Sequence, residues 1–499
     1  MEGLLISTGI VFVILYLIFN KHAYPVEIVS FRSLTKFEAE KRASTLLTEL
    51  TGLDSASATV LSAFWFDEGF TESAYQLGML EKLQNDMEVW GLRGSWKIRF
   101  LFQEGTALIG MAPGGEIISL ELTGQLVDAV GDQGNDVFDI DNIIYRLNGN
   151  SNNGIWSNLK SVGEGHVQHE QGAEELTKHF THIMDSGLRV FLSVSAKGGT
   201  ITHVDMEPEL ENDAVEGVKG SEIVEALCGM GGMMGALLAL IVGVAILALT
   251  DGVVDVSYAI ILSASILIAI ILTMPSELKY MCINGFDGEL PWPTFKIISL
   301  ITIIVRSLVL SGVVAVAIVS GTYVALQIPL SVFDAVGYQI IWGVWLGLGW
   351  LGVAALVYTV LRRYHKLDIL PRSADSSLHI AGHTWSHGTS VAIQSSVGEE
   401  AVFRLLGIPV LIWATGSIWL AVAVTAILWA IMHTGSSMRP RWFRFIELSL
   451  GGCILGIAFV NVGFICVLIA HFFYNFVTMC APLLATHNKN QGQKLVTEN

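Results

Sequence analysis

The chain has 499 residues, of which 52% are hydrophobic and only 15% charged, and its mean hydropathy is +0.57. A composition this apolar excludes an ordinary soluble protein and calls for lipid as the solvent over much of its length. The formal net charge of -17 comes largely from residues 33–225, while the apolar runs have basic flanks, and that balance excludes nucleic acid as a partner.

The first element in chain order is the apolar run Leu4 to Phe19. It is followed by Asn20, Lys21, His22, Ala23, Tyr24 and Pro25, which offer no small-residue cleavage site. Residues 1–21 are therefore expected to be an uncleaved membrane anchor rather than a signal peptide. Residues 22–225 hold no spanning run and are expected to form an inserted α+β extramembrane domain. Helical periodicity suits Thr35 to Glu49 and Glu72 to Gln84. Strand alternation takes over in Trp96 to Gln103 and Ala107 to Thr123. The segments Ile109 to Gly124 and Leu192 to Glu209 share a strand, a Gly-Gly turn and a second strand, so two copies of one small α+β unit are expected. Between them, Asn148 to Gly165 is rich in Asn, Gly and Ser and reads as a loop.

Further runs near the length that crosses a bilayer, about 20 apolar residues, lie at 229–249, 256–274, 307–328, 338–361, 402–420, 417–433, 446–462 and 464–483. The border between the 402–420 and 417–433 runs falls near Gly416. The expected fold is thus an all-α polytopic membrane bundle of eight core transmembrane helices plus the N-terminal anchor, with the α+β domain inserted. Four core helices fill 226–364, a cytoplasmic loop 365–398, the remaining helices 399–485 and a polar tail 486–499. Basic residues mark the cytoplasmic side. Arg362, Arg363, Lys366 and Arg372 crowd one loop and Arg439, Arg441 and Arg444 another, whereas Thr250 to Asp255 and Pro329 to Gly337 carry none. The helix count then places residues 22–225 and the tail on the cytoplasmic side as well. Arg306 is read as structural, snorkelling at that edge while Lys296 to Val305 lies along the interface. Cys228, Cys282, Cys453, Cys466 and Cys480 show no paired spacing, so neither a disulfide framework nor a zinc knuckle is expected.

Charged or strongly polar groups in spanning helices are costly and call for an explanation. They cluster three times in the last four runs: Glu399, Glu400 and Arg404; Trp429 and His433; His471 and Asn475. Residues four apart on a helix differ by only about 40°. Glu400 is therefore placed to pair with Arg404, leaving Glu399 directed elsewhere without an intrahelical cation, as a general base in a low-dielectric pocket would be. His471 and Asn475 share a face and offer a ring nitrogen and an amide to one point, as a pair that holds an oxyanion must.

These clusters, a Glu before ExxxR, an aromatic residue four before a His, and HxxxN, resemble in order and spacing the signatures of the CAAX prenyl endopeptidase (CPBP, or Abi) family of intramembrane proteases. The likeness runs from 229 to 483 and includes the small-residue segment Phe445 to Phe459. It implies an endopeptidase in which Glu399 activates water, Glu400 and Arg404 order the start of their helix, His433 assists at the water, and His471 with Asn475 binds the oxyanion. Trp429 stands where the family usually has Phe, and Leu405 follows Arg404 where Gly is common, which bears on substrate fit. The implied partners are a membrane-associated peptide or protein substrate and the lipid bilayer, with no cofactor; the low Lys content and short loops point to a bacterial inner membrane.

Other readings remain open on the residues alone. A zinc ion held by Glu399, His433 and His471 is the nearest rival. An ion- or proton-coupled transporter also places Glu and His in helices, but its internal repeats are missing. A catalytically inactive scaffold or immunity protein is the third. His379, His383 and His387 recur every four residues, yet Gly382 and Gly388 weaken that helix and no acid is interleaved, so incidental histidines in a loop are the expectation.

Overall fold

The computed structural model describes residues 2–23, 34–66, 68–92, 94–127, 160–168, 174–184, 186–197, 200–209, 212–249, 255–286, 290–328, 330–370, 385–433 and 438–497. Helix α1 spans Glu2–Ala23. It packs along a later helix, α8 (Val336–Arg363), rather than standing apart from the bundle. A Cβ at Gly352 would come within 2.5 Å of the Phe12 carbonyl oxygen, so only glycine admits this approach. Trp345 Nε1 donates to Thr8 Oγ1 at 2.9 Å and Thr359 Oγ1 to the Phe19 carbonyl at 3.2 Å.

The extramembrane domain begins with α2 (Lys36–Thr51), which starts in a capping box: Glu38 N donates to Thr35 Oγ1, and Thr35 N donates to Glu38 Oε2 at 2.8 Å. Its buried Ala39, Ala43, Leu46, Leu47 and Leu50 repeat at helical spacing and face a sheet. Strand β1 is Thr59–Phe66. The single helix expected over Glu72 to Gln84 is instead two, α3 (Glu68–Gln76) and α4 (Leu80–Val89), broken at Gly78 with φ +70°. Strands β2 (Gly94–Leu101), β3 (Gly105–Met111), β4 (Ile117–Gly124), β5 (Lys160–Gln168), β6 (Glu174–Ile183), β7 (Arg189–Lys197) and β8 (Thr200–Glu209) complete one antiparallel sheet in the order β1-β2-β3-β4-β8-β7-β6-β5. Each half is a four-strand meander. The two expected hairpins, β3–β4 and β7–β8, meet at the centre, where Leu120 pairs with Val204. The expected loop Asn148 to Gly165 gives way at Lys160 to β5, and its earlier residues lie outside the described set.

The membrane core follows. Helix α5 (Asn212–Leu249) starts inside the range expected for the domain, so residues 212–225 extend a membrane helix. Helices α6 (Ser257–Asn284) and α7 (Trp292–Gln327) form a long hairpin. Lys296 to Val305 belongs to the continuous helix α7, and Arg306 within it pairs with Glu277 of α6. After α8, the segment Asp368–Ile369 (β9) pairs with Met438–Arg439 (β10). The loop expected over 365–398 is corrected at its end: Trp385–Glu399 is helix α9, with His387, Ser390, Ala392, Ser396 and Val397 buried. His379 and His383 lie outside the described residues. Helix α9 runs on through a π-helical stretch, Glu400–Gly407, into α10 (Ile408–Thr415), and Gly416 ends it at φ +69°. Helices α11 (Ile418–Ile431), α12 (Arg441–Asn461) and α13 (Phe464–Thr497) complete the bundle. Among the described residues seven helices, α1 included, are long and apolar enough to cross a membrane. The protein is an integral, multi-pass membrane protein.

The domain docks on the end of the bundle that carries Arg362, Arg363, Lys366 and Arg439. Buried Arg99 donates from Nε to the Ile283 carbonyl at 2.7 Å, Trp65 stacks on Tyr280 with ring centroids 4.9 Å apart, and the Arg439 guanidinium lies 4.5 Å over the Tyr75 ring. Burial first, then the Asp368 carboxylate, push the Tyr75 phenol above its usual range. Among the described residues Cys282, Cys453, Cys466 and Cys480 are free.

Candidate active site

Pro409 sets the local geometry of the helix that carries Glu399. A proline within a helix has no N–H for the carbonyl four residues before it, here Leu405, and its ring crowds that carbonyl. The turn ahead of it winds wider, as the π-helical stretch Glu400–Gly407; such stretches are frequent at functional sites. Gly321 of α7 packs against the Leu405 carbonyl, where a Cβ would sit 2.4 Å from that oxygen. The expectation that Glu400 and Arg404 open their helix is corrected, because α9 precedes them and both lie in its interior.

Glu400 and Arg404 are fully buried. Arg404 Nη1 donates to Glu400 Oε1 at 3.2 Å, and the same oxygen lies 2.7 Å from His471 Nδ1. The Arg404 guanidinium also rests 4.6 Å over the Trp429 ring. A buried carboxylate with two partners on one oxygen is a rigid post, and it fixes the orientation of His471. Nδ1 faces a carboxylate and is placed to donate to it, which leaves Nε2 turned toward Glu399.

Glu399 turns away from that pair, as the spacing predicts, and retains 23% exposure of its side chain. Trp429 Nε1 donates to Glu399 Oε2 at 2.6 Å. His433 Nε2 lies 3.5 Å and His471 Nε2 4.0 Å from the same oxygen. His433 is held from behind by its Nδ1, 2.8 Å from the Trp429 carbonyl. Both imidazoles thus anchor Nδ1 and turn Nε2 to one carboxylate oxygen. His433 keeps 31% of its side chain exposed. Asn475 sits one turn beyond His471 on α13, and its Nδ2 donates to Ser395 Oγ at 2.8 Å, leaving the amide a second hydrogen to give.

The structure brings Glu399, Glu400, Arg404, His433 and His471 into one contact network, with Asn475 tied to the same helix through Ser395. Two roles lie beyond the sequence-based expectation. Trp429, expected to bear on substrate fit, also donates to Glu399, in keeping with a buried indole N–H's need for an acceptor. Ser395 precedes Glu399 by four residues and so shares its helical face, a signal too common to single it out. Among the described residues no group of three His, Cys, Asp or Glu is placed to hold a metal ion, Glu399, His433 and His471 included.

Residues 382–477, which span the whole site, match the family described as type II CAAX prenyl endopeptidase Rce1-like. The chain is also 30% identical over 453 residues to the sporulation-killing factor biosynthesis protein SkfC of Bacillus subtilis strain 168, a match covering 90% of each protein. That similarity takes in the extramembrane domain as well as the core. No solved structure matches the chain.

Proposed function

The chain belongs to the Rce1-like family of type II CAAX prenyl endopeptidases, and from that premise we propose that it hydrolyses a peptide bond at the membrane with a water activated by Glu399. The observation that carries this reading is the convergence of Trp429, His433 and His471 on Glu399 Oε2 beside the buried Glu400–Arg404 pair. A base must lie within reach of the proton it takes and be held in place while it does so. Glu399 takes the proton of a water next to His433, the water oxygen attacks the peptide carbon, and the proton passes on to the leaving amine. His433 orients the water through Nε2. Asn475 donates its second amide hydrogen to the developing oxyanion, and His471 faces the same point through Nε2. The Glu400–Arg404 pair orients His471 and does not touch the reacting atoms.

The substrate class is a membrane-associated peptide or protein. The name of the Bacillus subtilis relative places that protein in the biosynthesis of a sporulation-killing factor; by analogy, a peptide precursor is the substrate to try first. The basic loops support a cytoplasmic side for Arg362, Arg363, Lys366 and Arg439. The zinc reading would need both Nε2 atoms and Glu399 around one ion. The test is cleavage of membrane peptides by the purified full-length protein, with and without chelator. Chelator-resistant cleavage that Glu399→Gln abolishes is the expected outcome; loss of activity with a stoichiometric zinc would overturn the metal-free mechanism.

A further inference from the structure

At the end of the bundle that bears the basic loops, a cavity of about 1040 Å³ lies between the last turn of α1, the last turn of α8 and the β9–β10 ribbon. Four cationic side chains line it, Arg362, Arg363, Lys366 and Arg439, against a single carboxylate, Asp368. Asp368 is already engaged, since Arg439 Nη2 donates to its Oδ2 at 2.7 Å. Arg362 donates to the His22 carbonyl of α1. Arg363 and Lys366 are exposed.

The plainest account of Arg362 and Arg363 is that cations favour the negative end of a helix dipole. It does not extend to Lys366, which lies past the end of α8, or to Arg439, which reaches the cavity from a separate element. His365 adopts φ +52° as the left-handed cap that ends α8, with Lys366 N donating to the Leu361 carbonyl at 2.9 Å, and Lys366 and Leu367 line the same cavity.

The remaining wall is apolar. Ile18 and Phe19 of α1 border the cations, and Ile10, Ile14, Leu17 and Ile18, exposed by 47% or more, form one helical face leading from the cavity along the anchor. A surplus of positive charge at the mouth of a lipid-facing apolar track matches a molecule with a phosphate at one end and hydrocarbon at the other. We propose that this cavity binds the phosphate headgroup of an acidic phospholipid, with an acyl chain laid along α1. Arg363 and Lys366 supply the phosphate contacts, while Arg439 and Asp368 hold the ribbon wall. The site is separate from Glu399 and does not depend on the proposed reaction.

The experiment measures binding of a fluorescent phosphatidylglycerol to the purified full-length protein in detergent, with the phosphatidylcholine analogue and inorganic phosphate as separate arms. Phosphatidylglycerol should bind more tightly than phosphatidylcholine. The double variant Arg363→Gln/Lys366→Gln should weaken that binding by about thirtyfold without lowering thermal stability, both side chains being exposed. Lys296→Gln, on α7 and not lining the cavity, should leave it unchanged. Equal binding of the two lipids would overturn the proposal, and so would equal losses from Lys296→Gln and the double variant, which would mean a diffuse surface potential. Inorganic phosphate binding as tightly as the lipid would make this a free-anion site and remove the lipid assignment.

Discussion

Trp429 donates its indole hydrogen to Glu399 Oε2 at 2.6 Å, and that oxygen is the one His433 and His471 also face. The ring beneath the Arg404 guanidinium is thus also the orienting donor of the proposed base. Trp429→Phe keeps an aromatic face for Arg404 and removes only the donor. A hydrogen bond to a charged group contributes about 1.5–3 kcal/mol, so turnover should fall by about tenfold or more with KM little changed. Unaltered turnover would show that Glu399 is held by the histidines alone.

Glu399→Gln replaces the carboxylate with an isosteric amide that packs alike and cannot accept the proton of water. The variant should fold, show wild-type thermal stability and lose proteolysis. Residual turnover of about a tenth of wild type would rule out Glu399 as the base, because general-base catalysis contributes about 10²–10⁴-fold.

Arg404→Ala should behave differently, because it leaves the Glu400 carboxylate buried without its cation. Breaking a buried pair from one side costs about 3–5 kcal/mol, and both side chains here are fully buried. Lower thermal stability together with lost activity is the expected result. Stability equal to wild type would mean that the Glu400–Arg404 pair does not stabilise the fold.

Asn475→Ala tests the oxyanion role against its bond to Ser395. An oxyanion donor is worth about 10²–10³ in turnover and little in substrate affinity. Ser395→Ala removes the partner and keeps the amide, so it should cost far less. Comparable losses in the two variants would make Asn475 a structural tie between α13 and α9.

Topology is open to thiol labelling in a variant lacking the native cysteines. Cysteines placed at Lys366 and at Arg189, in the core loop and the sheet, should react from the same face of the membrane, the cytoplasmic one, because the domain docks beside Arg439. One at Ser331, between α7 and α8, should react from the other. Labelling of Arg189→Cys and Ser331→Cys from one face would be incompatible with this packing.

Local and periodic information in the chain determined a good deal. Apolar runs marked the membrane helices because the bilayer demands a fixed length of hydrocarbon-compatible chain. Helical periodicity from Thr35 to Glu49 marked α2. The i, i+4 spacing separated Glu399 from the Glu400–Arg404 pair and set His471 beside Asn475. Tertiary structure decided what spacing has no access to. Glu399, His433 and His471 come from three helices, and their meeting at one oxygen depends on packing across the bundle. The helix that carries Glu399 begins at Trp385 because burial of Ser390, Ala392 and Ser396 against α6 and α13 stabilises a stretch too polar to read as a span. Pro409, after its π stretch, is visible in the chain, whereas the close approach of Gly321 to Leu405 comes from a residue far away in sequence. Likewise β1, β5 and β6 lack clear alternation; their register comes from neighbouring strands, which supply backbone hydrogen bonds that no single strand can satisfy.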